Sequence, residues 1–210
     1  VLVDTAVDMS AVIQGAAVPT GAVGTLVSAL VGGVSDVDAA AVKGIAITGV
    51  NSAKGTVYFS TNGGANWTEL TSVSEGNARL LAADADNRVY FKAASTNQGN
   101  VTDAITFRAW DTTTGTEGQT GNASVNDGTT AFSKDSDTVS EYVVAPVTIN
   151  VVSTDDLVAN GEAIPLTGKA DPNAVVTLNI NSQNINVTAN AAGDWTYDGS
   201  KVRYIMVRKT

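Results

Sequence analysis

Short runs of strand-forming residues, separated by turn-forming residues, are the feature that most limits how this 210-residue chain can fold. Runs such as residues 44–50 (GIAITGV) are rich in β-branched and aromatic side chains, which favour strands. The triplet Asn62-Gly63-Gly64 lies between two such runs and predicts a β-hairpin. In residues 106–110, alternation places Phe107 and Ala109 on one face of a strand. The strands expected in this part of the chain are 24–31, 44–50, 55–61, 66–70, 88–93, 103–110 and 139–144.

The composition excludes several classes of function. The chain has no cysteine and no histidine, which excludes disulfides, cysteine nucleophiles, Ser-His-Asp triads and the usual zinc sites. A net charge of −9 disfavours binding to nucleic acid. Residues 16–34 are apolar, but Pro19 and several glycines interrupt them, so no transmembrane helix is expected. Carboxylate side chains and hard cations such as calcium remain compatible with this composition.

Residues 143–147 (VVAPV) are expected to form the exit strand and the junction between two domains, residues 1–145 and 146–210. The seven strands expected in the first domain predict an antiparallel β-sandwich. In the first, residues 112–137 are polar and Gly-rich, and we expect an extended loop or a loose hairpin that is mobile unless an ion orders it. In the second, residues 175–182 alternate Val176, Leu178 and Ile180 on one face. The second domain is shorter than a full sandwich of about 100 residues.

The order of motifs from Ser35 to Gly115 (SDVD, GIAITGV, LLAADADNRVYF, TFRAWDTTTG) resembles the cadherin-like repeats of large bacterial surface proteins. The segments ADPNA (170–174) and AGDWT (192–196) resemble the bacterial Ig-like repeats of the same adhesins. This second resemblance implies that residues 146–210 form another sandwich, so that the fold consists of two tandem antiparallel β-sandwiches. This resemblance implies a non-enzymatic, extracellular spacer or adhesion segment on a bacterial cell surface. Its implied partners are neighbouring repeats or other copies of the chain, and its further ligands are glycans or a host or cell surface.

The resemblance also implies that calcium stiffens the domain ends. Calcium takes six to eight oxygen ligands, so several loops must contribute to each site. In the cadherin-like pattern, Asp36, Asp38 and Asp111 share one end of the first sandwich, whereas Asp84 and Asp86 lie at the opposite end, facing the next domain. The carboxylates that would complete this junction site are Asp155, Asp156, Glu162 and Asp171. The alternative is that such aspartates cap turns through their own side chains.

Three other acidic residues, Asp127, Asp135 and Asp137, are expected to be solvated loop charges. Residues 60–67 resemble the Asp-box hairpin of sialidases with Asn62 in place of the aspartate, a motif that is structural rather than catalytic.

The three tryptophans, Trp67, Trp110 and Trp195, are expected to pack in cores or at their rims. An exposed tryptophan platform for sugars is the alternative, and it would make the chain a carbohydrate-binding accessory module.

The last ten residues, 201–210, combine basic side chains with strand propensity. They have three interpretations: a last strand of the shortened second domain, a remnant unrelated to the fold, or a strand donated to another copy. Donation to another copy would build filaments. It is the basis of a second functional hypothesis, a self-assembling surface-fibre subunit.

Overall fold

The structure is a computed structural model that describes residues 1–3, 5, 7–35, 42–151, 165–180 and 183–199. The chain divides into two compact units, Val1–Val144 and Ala145–Thr210. Apart from a short 3-10 helix at Val27–Ala29, the regular structure of the described residues is made of β-strands, which confirms the predicted all-β fold. No helix in this part of the chain is long and apolar enough to cross a membrane.

The first unit is a sandwich of two sheets. Its strands, in chain order, are β1 (Val7–Asp8), β2 (Val12–Ile13), β3 (Thr25–Leu26), β4 (Gly44–Val50), β5 (Gly55–Ser60), β6 (Thr68–Glu69), β7 (Ala78–Ala82), β8 (Arg88–Ala93), β9 (Gly99–Trp110), β10 (Thr120–Gly121) and β11 (Phe132–Val144). The larger sheet has the order β1, β11, β9, β4, β7, β10, and β2 also pairs with β11. The smaller sheet has the order β3, β8, β5, β6.

Most strand pairs are antiparallel, as predicted, and β5 and β6 form the hairpin expected around Asn62-Gly63-Gly64. The exceptions are β1 and β2, which both run parallel to β11. Each of them has only two residues, so no alternating pattern in the sequence could reveal them or their direction.

The main core lies between the two sheets. Fully buried side chains from both sheets meet there, and among them are Ile45, Leu81, Phe91 and Phe107. Ala109 joins Phe107 in this core, which confirms the predicted face of β9. Burial of each large apolar side chain contributes about 1.5–3 kcal/mol, so this core is the main source of stability of the first unit.

A second, smaller core lies on the other face of the larger sheet. There Leu80 of β7 and Trp110 of β9 pack against Ala123, which is fully buried. Ala123 belongs to the stretch between β9 and β11, which we name the cover (residues 112–131). Because side chains on successive strand residues point to opposite faces, Trp110 and Ala109 serve different cores.

The extended loop or loose hairpin predicted over 112–137 is shorter in the structure, and the cover lies against the larger sheet. Its backbone pairs with β7, since the Gly118 N–H donates to the Leu80 carbonyl at 2.8 Å and the Leu80 N–H donates to the Gln119 carbonyl at 3.0 Å. Strand β11 already begins at Phe132. The cover packs against apolar surface on the outer face of the sheet.

The second unit contains β12 (Thr148–Val151), β13 (Leu166–Lys169), β14 (Val175–Ile180), β15 (Gln183–Thr188) and β16 (Asp194–Tyr197). Strands β12, β13 and β16 form one antiparallel sheet, and β14 and β15 form a hairpin. Val176 and Leu178 face a core with Trp195 and Tyr197, so the predicted alternation is confirmed. The terminal residues 201–210 lie outside the described residues.

Candidate functional site

The strand register places the candidate aspartates of the first unit at one end of its larger sheet. Gly44, the first residue of β4, pairs with Ala82 at the end of β7 and with Trp110 at the end of β9. Asp84 follows β7 and Asp111 follows β9, so both side chains emerge at the Gly44 end. The expectation that they lie at opposite ends of the first unit is wrong.

Strand β7 is the reason for the difference. It was not predicted, and adding it to the larger sheet reverses the end at which the following loop with Asp84 and Asp86 lies. The chain leaves the first unit through β11, where Val143 pairs with Gly99 at the start of β9. That is the opposite end of the sheet from Asp111, so Asp84 and Asp86 do not lie at the end from which the chain leaves this unit.

The Asp84 carboxylate closes the turn between β7 and β8. One oxygen accepts hydrogen bonds from the backbone N–H groups of Asp86 and Asn87, both at 2.8 Å. The other oxygen accepts from the side-chain amide of Asn87, also at 2.8 Å. Asn87 is fully buried, so Asp84 fixes a buried polar side chain as well as the backbone. This is the turn-capping role that is the alternative to calcium binding.

Asp111 and Asp171 also bind backbone groups. Asp111 accepts from the Thr113 N–H at 2.8 Å and from the Thr113 hydroxyl at 2.6 Å. This turn holds Thr112 at a φ of +64°, an uncommon conformation for a residue other than glycine. In the second unit, Asp171 accepts from the Ala145 N–H at 2.9 Å.

The described carboxylates do not gather into a calcium site. Within the described ranges, no group of three or more His, Cys, Asp or Glu side chains is arranged to hold a metal ion. The remaining candidate ligands, Asp36, Asp38, Asp155, Asp156 and Glu162, lie outside the described residues.

Asp137 is buried rather than solvated, which corrects a prediction. Its side chain faces the interior from β11 and is 3% exposed. Its carboxylate accepts from the Thr5 N–H at 3.2 Å and from the Thr138 N–H at 2.7 Å. The surrounding polar sequence suggested a loop, and one of the two N–H donors to the buried carboxylate, that of Thr5, is far away in the sequence. Asp127 and Asp135 are exposed, as predicted.

Arginine side chains also bind backbone groups, a role that no motif in the sequence indicates. The Arg108 Nε donates to Glu75 at 2.7 Å, and its Nη1 donates to the Ser133 carbonyl at 3.1 Å and to the Lys134 carbonyl. Arg79 lies over the Phe59 ring, 4.7 Å from its centroid, and donates to the Gly118 carbonyl of the cover.

The hairpin that resembles an Asp-box has the expected local geometry. The Asn62 side-chain oxygen accepts from the Asn66 N–H at 2.9 Å and from the Ser60 hydroxyl at 3.0 Å. Gly63 and Gly64 have φ values of +68° and +94°, which glycine adopts most readily. Asn62 therefore caps the turn in place of the aspartate, and the motif is structural here.

The tryptophans are mainly packing residues. Trp110 and Trp195 are each 2% exposed, so neither presents a ring face to a ligand. Trp67 is half-buried, donates its indole N–H to the Gly21 carbonyl at 3.1 Å, and packs edge to face with Tyr90. The expectation of core or rim packing is confirmed for these residues.

The ionisable group in the most unusual environment is Glu141 of β11. Its side chain is 1% exposed, and neither carboxyl oxygen has a hydrogen-bond partner among the described residues. Burial raises the pKa of this carboxyl from 4.5 to about 8, and the nearby Asp8 carboxylate contributes to the increase. The N–H groups of Tyr142 and Val12 oppose the increase in pKa without forming well-aligned hydrogen bonds.

Alternation along β11 could have revealed Glu141, since it shares the inward face with Val139 and Val143.

In comparisons with family models, curated proteins and solved structures, nothing significantly matches this chain.

Proposed function

We propose that this chain is a non-enzymatic structural segment of an extracellular bacterial surface adhesin, as its resemblance to cadherin-like and Ig-like repeats implies. The observation that supports this proposal is the use of its charged side chains. Asp84, Asp111, Asp137, Arg79 and Arg108 each bind loop or strand backbone. A catalytic group instead needs a free acceptor or donor directed at a substrate position.

In this function, the sandwiches act as spacers that hold a binding tip away from the cell. Their resistance to force would come from long strand pairings such as β9 with β11 and from burial on both faces of the larger sheet. The partners would be neighbouring repeats of the same protein or other copies of it.

Single-molecule stretching tests this proposal. We expect two unfolding events, which release about 500 Å of chain for the first unit and about 230 Å for the second, at about 3.5 Å per residue. Forces well above those that extend a flexible linker would support a mechanical role. Smooth extension without such events would contradict it.

Calcium stiffening is the part of the proposal that depends on Asp36 and Asp38. Melting in excess calcium, in excess magnesium and in chelator measures it, because a ligand that binds only the folded state raises Tm. We expect a calcium-specific rise that is lost when Asp36 and Asp38 are both changed to Asn. The matched control is Asp135→Asn, which removes an exposed charge and should keep the rise. Equal melting in calcium and chelator would remove calcium from the proposal.

The two alternative functions have less support. The fibre-subunit hypothesis depends on residues 201–210, which lie outside the described residues. The carbohydrate-binding hypothesis needs exposed ring faces, and Trp110 and Trp195 are buried.

A further inference from the structure

The N-terminal segment 7–14, which we name the strap, is held to β11 by two very short ladders. Strand β1 pairs Val7 and Asp8 with Val139 and Ser140, and β2 pairs Val12 and Ile13 with Val143 and Val144. Two further backbone hydrogen bonds of 2.8 Å, from the Met9 N–H to Ser140 and from the Gln14 N–H to Val144, extend the ladders. Between the ladders, the strap leaves β11 and its Ser10 N–H donates to the Thr25 hydroxyl at 2.7 Å.

Glu141 lies where the two ladders are interrupted. It comes directly after Ser140, the last partner of β1, and two residues before Val143, the first partner of β2. Its side chain faces inward and is 1% exposed, and within the described chain no donor is bonded to either oxygen. The strap therefore lies along β11 beside a buried carboxyl group that forms no well-aligned hydrogen bond with the described residues.

Burial and the Asp8 carboxylate disfavour the charged form of Glu141 more than the backbone N–H groups of Tyr142 and Val12 favour it. From β1, the Asp8 carboxylate repels it, and from β8, Tyr90 is the titratable group that interacts with it. The residues of β2 and β9 nearest to it, Val12 and Val101, carry no charge. No lysine or arginine of the described residues forms an ion pair with it. An ionised carboxylate in this position is costly, and contact with water would relieve that cost.

We propose that the strap is a proton-dependent latch, which docks on β11 while Glu141 is protonated and opens more readily as Glu141 loses its proton. Opening gives the carboxylate access to water, so the docked state binds a proton that the open state releases. The raised pKa of Glu141, about 8 in the docked state, is consistent with this coupling. Opening also leaves the outer edge of β11 without its strand partners, and such an edge can pair with another strand.

Hydrogen exchange of the Met9 and Gln14 amides between pH 5 and 8, corrected for the intrinsic rate, tests the latch. Loss of one proton on opening makes protection fall by close to tenfold per pH unit in this range and level off near pH 8. We expect both amides to be less protected than the ladder amides of β4 at every pH, because the strap opens without unfolding the sheet.

The Glu141→Gln variant should remove the pH dependence of these two amides, and Glu69→Gln, which changes an exposed glutamate of β6, should keep it. Protection of Met9 and Gln14 equal to that of β4 at every pH would overturn the latch, because the strap would then open only with global unfolding. A pH dependence that survives in Glu141→Gln would overturn it as well. If Glu141→Gln does not fold, the pH dependence of Met9 and Gln14 protection in the wild type decides. Protection of these amides that does not change with pH would overturn the proposal.

Discussion

The carboxylate of Asp84 binds both the backbone N–H and the side-chain amide of Asn87, a residue that is fully buried. In the sequence, Asp84 and Asp86 form an Asp-x-Asp pair that suggests an ion site. In the structure the two residues differ, because Asp84 closes a turn and the exposed Asp86 contributes its backbone N–H to that turn.

This difference predicts unequal effects of substitution. Asp84→Ala should lower the free energy of unfolding of the first unit by about 1–3 kcal/mol, because it removes several hydrogen bonds and leaves the buried Asn87 amide without its acceptor. Asp86→Ala should change it by less than about 0.5 kcal/mol, as for most surface sites. Urea unfolding without calcium measures both, and equal effects of the two substitutions would contradict the assignment of Asp84 as the turn cap.

Because the Glu141 carboxyl is buried, we predict that the first unit loses stability as the pH rises. Its pKa is higher in the folded state, about 8, than the ordinary value of 4.5 that applies to the unfolded chain. The folded state therefore binds the extra proton, and its advantage is complete below about pH 4.5 and lost as the pH approaches 8. The loss is at most about 1.4 kcal/mol per pH unit.

Glu141→Gln should consequently have nearly wild-type stability at pH 5 and greater stability than the wild type at pH 8. The slowest-exchanging amides of β4 report the global stability of this unit and measure the difference. A variant that is less stable than the wild type by the same amount at both pH values would show that Glu141 does not titrate in this range.

The sequence was sufficient to predict a strand and its inward residues where one face of the strand is buried and the other is polar. Strand β14 alternates in this way, and its inward residues Val176 and Leu178 were identified correctly. Strand β7 was missed because the run from Ala78 to Ala82 is buried on both faces and so lacks alternation. That one missed strand moved the Asp84 loop to the wrong end of the unit.

The buried carboxyl groups were missed for another reason. Asp137 lies in a polar stretch, SKDSD, that is typical of a loop, and its burial depends on Thr5, which is remote in the sequence. Local patterns contain no information about such a contact. Glu141 was accessible to reasoning from alternation, but a charged residue among inward positions is usually discounted.

We predict that lysine cannot replace Arg108 without a loss of stability in the first unit. Its guanidinium group bonds to Glu75 and to the carbonyls of Ser133 and Lys134, where β11 has a register irregularity between Phe132 and Ser136. A lysine ammonium group cannot reproduce this planar arrangement of donors. Arg108→Lys should therefore destabilise the unit by about 1–3 kcal/mol in urea unfolding.

The control for Arg108 is Lys134→Ala, since the Lys134 side chain is exposed and its carbonyl remains available to the arginine. This control should have a small effect, within about 0.5 kcal/mol. If Arg108→Lys were as mild as the control, the hydrogen bonds of the guanidinium group would not contribute measurably to stability.

The packing around Gly168 in the second unit leaves no room for a larger side chain. It lies in β13, and a Cβ atom at this position would collide with the Thr148 carbonyl of β12 and with the ring of Trp195. Because the carbonyl belongs to the strand ladder and the ring is 2% exposed, neither can move away easily. Gly168→Ala should thus destabilise the second unit by about 1–3 kcal/mol, the usual cost of overpacking a core.

Gly76→Ala is the matched control, because a Cβ atom there meets nothing within 4 Å. Loss of protection of the β13 and β16 amides in hydrogen exchange would report the effect, and unchanged protection in Gly168→Ala would show that β12 and Trp195 can separate to admit a methyl group.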